Sequence, residues 1–229
     1  MGRLFRRAIA SGYGVRAGAL NLTLALGLIL TAGTALAGQV TIAALGDSLT
    51  QGYGLPQEDG FVPQLESWLR DQGAEVRVLN AGVSGDTSAG GLSRVDWTLT
   101  PDVDAMIVAL GGNDLLRGID PAATRANIEG ILRAAQDRGV AVLLVGMQAP
   151  GNYGPDYKAA FDAIFPELAA QYRALHFESF LKPLADLPDR GTALRELMQG
   201  DGIHPSATGV ALIVQAIGPA VLDLIDRTQ

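Results

Sequence analysis

The chemistry in this chain of 229 residues rests on a short set of side chains. It has no cysteine and two histidines. Thiolate nucleophiles, thiolate metal sites and disulfides are therefore excluded together, and covalent catalysis would have to use a serine or threonine hydroxyl. His204 lies in Gly200-Asp201-Gly202-Ile203-His204-Pro205, three residues after Asp201. With Gly202 allowing a turn, the Asp201 carboxylate can fold back on the imidazole and fix its tautomer, as the acid of a hydrolytic triad does. An Asp/Gly turn before a helix cap explains the same residues equally well. His176, in Ala-Leu-His-Phe-Glu, sits inside an apolar run and reads as structural. Ser48, in Gly46-Asp47-Ser48-Leu49, has the place of a nucleophile, although a strand-end serine can simply cap a helix. It is not the Gly-x-Ser-x-Gly elbow of α/β-hydrolases. Gly85, in Ser84-Gly85-Asp86-Thr87, can offer a bare backbone N–H, and Asn113, in Gly111-Gly112-Asn113-Asp114, a side-chain amide. Such donors stabilise a developing oxyanion. Both residue types are also ordinary in turns.

These residues are spread over more than 150 positions, so a scaffold must bring them together. Apolar runs read as strands at Val40–Leu45, Val76–Leu79, Ala105–Leu110, Val140–Val145 and Leu175–Phe180. The third and fourth are almost continuously hydrophobic, as expected of central parallel strands covered on both faces. Between them, helical spacing appears at about 60–72, 87–99, 121–138, 156–173 and 206–226. Alternation of this kind predicts a three-layer α/β domain with a mainly parallel sheet. Asp120-Pro121 and Gly139 bracket the third helix as cap signals. Glycine makes up 29 residues, and many fall just after the strands. That edge is where open α/β sheets bind ligands. No internal repeat or linker divides 38–229, which reads as one domain.

Residues 1–37 contain Arg3, Arg6, Arg7 and Arg16, no acid, an apolar stretch from Leu20 to Leu30, and Ala35-Leu36-Ala37. This is the pattern of a secretory signal peptide, cleaved after Ala37, which places the product in the periplasm or outside the cell. A retained membrane anchor is the competing reading. The sequence does not separate general from twin-arginine export. The remainder carries 13 basic and 24 acidic side chains, a net −11. Phosphate backbones are poor partners for such a body, so nucleic acid is not expected.

Taken together, Gly-Asp-Ser-Leu, Gly-Asp-Thr, Gly-Gly-Asn-Asp and Asp-Gly-Ile-His-Pro, in that order across 41–210, resemble the SGNH hydrolases, the Gly-Asp-Ser-Leu class of esterases and lipases. Leu116-Arg117-Gly118 and Pro150-Gly151-Asn152-Tyr153-Gly154 are similar to its bacterial branch of thioesterases, lysophospholipases and arylesterases. The resemblance implies a flavodoxin-like α/β/α fold with a five-stranded parallel sheet ordered 2-1-3-4-5. It implies Ser48 as nucleophile, His204 as base and Asp201 as its orienting acid. Ser48, Gly85 and Asn113 would form the oxyanion hole. Leu115, Leu116, Arg117, Pro150, Asn152 and Tyr153 would contact substrate. Asp47 would hydrogen-bond local backbone and hold its loop, and Asp114 would shape the turn after Asn113. No cofactor or metal is implied. The expected partner is a small acyl ester, with transient contact with lipid substrates. Oligomeric state is not legible. Carbohydrate deacetylation by the same family and a noncatalytic flavodoxin-like anion-binding module are the alternatives.

Overall fold

A computed structural model describes residues 38–228. The leader expected over 1–37 lies outside the described residues. The elements are, in order, β1 (Val40–Gly46), α1 (Ser48–Gln51), α2 (Phe61–Asp71), β2 (Val76–Gly82), α3 (Ser88–Thr98), β3 (Ala105–Ala109), α4 (Gly112–Leu116), α5 (Pro121–Gln136), β4 (Ala141–Val145), α6 (Pro155–Asp162), α7 (Ile164–Tyr172), β5 (Leu175–Phe177), α8 (Lys182–Ala185), α9 (Arg190–Glu196) and α10 (Ala207–Asp226). The five strands form one parallel sheet in the order β2-β1-β3-β4-β5, as the resemblance implies.

The side-chain alternation of a strand divides β1 between two cores. Ile42 and Ala44 pack with Phe61, Leu65 and Leu69 of α2 and Ile213 and Ile217 of α10. Ala43 and Leu45 face Val95 of α3, Ile128 and Ile131 of α5, and Phe161 and Phe165 of α6 and α7. The sheet is thus covered on both sides, which explains the unbroken apolar runs of β3 and β4. The α10 segment is long and apolar enough to cross a membrane. Here Val210, Ile213, Val214, Ile217, Val221 and Leu224 are buried in the first core.

Strand register sets which loops become neighbours. Gly46 pairs with Gly82 on one side and with Ala109 on the other. β1, β2 and β3 therefore end level, and the segments bearing Ser48, Gly85 and Asn113 leave the sheet side by side.

The structure departs from the expected elements at one helix and several strand ends. The helix expected over 156–173 is two, α6 and α7, joined at Ala163. Pro166 has no N–H to give the Asp162 carbonyl, and its ring crowds that position. β2 runs three residues further than expected, and β5 ends three residues earlier.

Candidate active site

Ser48 is the first residue of α1, directly after β1. Asp47 caps this helix, its Oδ1 accepting from the Leu49 N–H at 3.0 Å. The cap fixes the turn that lifts Ser48 off the sheet edge. A Cβ on Gly82 would stand 2.3 Å from the Gln51 nitrogen, so only glycine lets α1 settle over the end of β2.

His204 and Asp201 arrive from the loop before α10. Asp201 Oδ1 accepts from the backbone N–H groups of Ile203 at 2.9 Å and His204 at 3.0 Å. Its Oδ2 lies 2.6 Å from His204 Nδ1. His204 Nε2 is 2.9 Å from Ser48 Oγ. The His204 imidazole, then the two backbone N–H groups, hold the Asp201 carboxyl down at about 2. An ionised carboxylate only accepts, so Nδ1 carries the proton and Nε2 is free to accept from the Ser48 hydroxyl. The three residues thus stand in the relation the resemblance implies for nucleophile, base and orienting acid.

Gly85 occupies the third position of a turn closed by the Asp86 N–H to the Val83 carbonyl at 3.1 Å. Its φ of +81° is what a type II turn demands there. Such a turn points the third residue's N–H outward, and no acceptor among the described residues takes it. Asn113, the second residue of α4, directs Nδ2 to Asp47 Oδ2 at 3.4 Å, which leaves its other amide proton unspent. The Ser48 N–H is an unpaired first-turn donor of α1. Ser48, Gly85 and Asn113 all line one cavity of about 390 Å³ together with His204. The oxyanion-donor set expected from the sequence is therefore assembled at a single site.

The walls differ in part from expectation. Leu115 and Leu116 line the cavity. Arg117, Pro150, Asn152 and Tyr153 do not. Lys158 donates to the Ala149 carbonyl at 2.7 Å, and Asp162 accepts from the Ala149 N–H at 2.7 Å. This grip on both polar groups of one residue draws the following loop onto α6. Tyr153 packs on the Tyr157 ring, with centroids 4.9 Å apart. Arg117 donates Nη2 to the Gly85 carbonyl at 2.9 Å. The cavity is walled instead by Leu49, Tyr53, Met147, Gln148, Leu181 and Ile203 besides the two leucines. Tyr53 lays its ring against His204, centroids 4.6 Å apart and planes tilted 36°. An aromatic between two glycines just after the nucleophile was the available clue. Leu181 and Ile203 carry no such mark.

Two acids beside the site have distinct surroundings. Asp47 holds its loop as expected, and burial pushes its carboxyl up to about 6 despite the Leu49 and Asn113 hydrogen bonds. Asp114 does not shape the local turn. It is fully buried, and accepts from the Ser88 N–H at 2.7 Å, from the Ser88 hydroxyl, and from the Thr124 hydroxyl at 3.1 Å. It thereby ties α4, and with it Asn113, to α3 and α5. Arg94 secures the other flank. Its guanidinium donates to Asp86 at 2.7 Å, to the Ala81 carbonyl at 2.7 Å and to the Gly46 carbonyl at 2.9 Å. His176, read as structural, lies outside the cavity lining, and burial lowers its pKa.

The chain is similar to known proteins over most of its length. Esterase TesA of Pseudomonas aeruginosa is 37% identical over 208 residues, covering 90% of this chain and 99% of that protein. Thioesterase 1/protease 1/lysophospholipase L1 of Escherichia coli K12 is 32% identical over 189 residues, covering 82% and 86%. Among solved structures, the SGNH-hydrolase family esterase AlinE4 is 45% identical, with a TM-score of 0.66 over 81% of this chain and 96% of that one. The structure of TesA gives a TM-score of 0.72 at 36% identity over 80% and 99%. The GDSL-like Lipase/Acylhydrolase family matches residues 44–212, from the end of β1 into α10, and this chain belongs to that family.

Proposed function

We propose that this chain is a serine esterase that hydrolyses aryl and short- to medium-chain acyl esters through a covalent acyl-enzyme. The observation that carries the reading is the 2.9 Å approach of His204 Nε2 to Ser48 Oγ, with Asp201 on the opposite ring nitrogen. As Ser48 Oγ attacks the ester carbonyl, His204 takes its proton at Nε2. Asp201 stabilises the imidazolium by accepting from Nδ1 and stays ionised throughout. The carbonyl oxygen becomes an oxyanion that accepts from the Ser48 N–H, the Gly85 N–H and the Asn113 amide. His204 then protonates the departing alkoxide, and a water repeats the sequence to release the acid.

The substrate class is supported by the walls. Leu49, Leu115, Leu116, Met147, Leu181 and Ile203 offer an acyl chain apolar surface, whereas a sugar hydroxyl would find few partners there. The same lining lacks a lysine or arginine, which weighs against an anion-binding module. Thioesters and lysophospholipids belong to the same reading, because the Escherichia coli relative carries those names. The Ala35-Leu36-Ala37 site supports export to the periplasm or beyond. N-terminal sequencing of the mature protein checks this, with Gly38 as the expected first residue.

A fluorophosphonate probe tests the mechanism. The wild type labels stoichiometrically and Ser48→Ala does not. Equal labelling of the two proteins, or none of either, overturns the proposal.

A further inference from the structure

We infer that Arg117 is a positioning residue for the oxyanion hole, acting through the Gly85 turn rather than on substrate. The inference rests on the esterase reading. Each residue around Gly85 has its own tether. The Val83 N–H donates to the Gly46 carbonyl at 3.0 Å, the Ser84 hydroxyl to Gln51 at 2.8 Å, and Asp86 accepts from Arg94. The Gly85 carbonyl has one donor among the described residues, Arg117 Nη2 at 2.9 Å. Glycine has no Cβ to restrict its torsions, so a residue held at φ +81° depends more than others on what grips its peptide groups.

Arg117 has a firm base from which to do this. It comes directly after α4, and its own N–H donates to the Asn113 carbonyl at 3.2 Å. Beyond it, the Tyr157 hydroxyl donates to the Ile119 carbonyl at 2.9 Å, and the Tyr153 ring lies against Gly118. The segment bearing the Asn113 donor is thereby joined to the turn bearing the Gly85 donor. Among the described residues, this is the side-chain hydrogen bond that directly links the 112–119 segment to the 83–86 turn. It sets the spacing of two of the three donors. A tetrahedral oxyanion is sensitive to that spacing, whereas a bound planar ester is less so.

Arg117→Met removes the link at an exposed position. On a p-nitrophenyl ester, kcat falls about tenfold while KM stays within about twofold, less than the loss of a whole donor. Affinity for an alkyl trifluoromethyl ketone, which forms a tetrahedral adduct on Ser48, falls in parallel with kcat/KM. Affinity for the product carboxylate does not change. Arg117→Lys, which can still donate to the carbonyl, recovers part of kcat. Unchanged kcat in Arg117→Met overturns the inference. So does a raised KM at constant kcat, which would make Arg117 a substrate contact. Either result with a wild type that labels with fluorophosphonate leaves the esterase reading intact. A wild type that neither labels nor hydrolyses esters overturns both.

Discussion

The Asp47 carboxylate caps α1 and faces the Asn113 amide while buried, and its pKa of about 6 is the cost of that position. Because the folded pKa lies above the unfolded value near 3.8, the neutral form favours folding. Stability from this group is complete below about pH 4, falls as pH rises to 6, and is level above that. The full span is on the order of 3 kcal/mol. Asparagine caps helices as well as aspartate. Asp47→Asn is thus expected to be more stable than wild type at pH 7 by on the order of 2 kcal/mol, with the difference vanishing at pH 4. Urea unfolding at both pH values measures it. The same variant loses turnover, since Asn113 no longer faces an anion. Asn113→Ala lowers kcat by about 10²–10³ with little change in KM, as steady-state kinetics on an aryl ester would show. Thr50 offers a third case. The Gly46 carbonyl already accepts from Val83 and Arg94, so the buried Thr50 hydroxyl has no partner among the described residues. Thr50→Val is expected to raise stability by about 1 kcal/mol in thermal unfolding. At this scale the sequence pointed to groups that the structure brings together, because Ser48, Gly85 and Asn113 each follow a strand and Asp201 and His204 stand in the loop before α10. It did not disclose Arg117 as a brace or Arg94 as a clamp. Their partners are backbone carbonyls, which every residue has.

Elements were legible where their pattern is periodic and long. All five strands match expectation, the central ones because parallel strands covered on both faces must be apolar, and the sheet order matches what the resemblance implies. Periodicity could not show the break in 155–172, because α6 and α7 keep one apolar face across it. Pro166 carried that information locally. α4 escaped notice because it is one turn long and is held by a buried carboxylate rather than by its own pattern. Asp114 accepts from α3 and α5 at once. Asp114→Ala would strand the Ser88 N–H, the Ser88 hydroxyl proton, whose oxygen still accepts from Asn127, and the Thr124 hydroxyl. A loss of about 3 kcal/mol in urea unfolding is expected, with kcat reduced as α4 loosens.

At the scale of the molecule, the two cores among the described residues and every proposed catalytic group lie within 40–226. Residues 38–229 expressed alone should therefore unfold cooperatively and keep full kcat, measured against the full-length chain. Residues 38–229 are acidic while residues 1–37 are basic, so the net −7 of the whole sequence conceals a net −11 over 38–229. Charge and cysteine count narrowed the chemistry early, but they say nothing of cavity shape, which depends on where loops land. The level ends of β1, β2 and β3 bear on how such an enzyme diversifies. The segments bearing Ser48, Gly85 and Asn113 are brought side by side by sheet register, a property of the rigid interior. Met147 and Leu181, which also bound the cavity, come from the separate segments that follow β4 and β5. Acyl preference can accordingly drift, or be redesigned, by exchanging those segments while the reactive geometry is passed on unchanged.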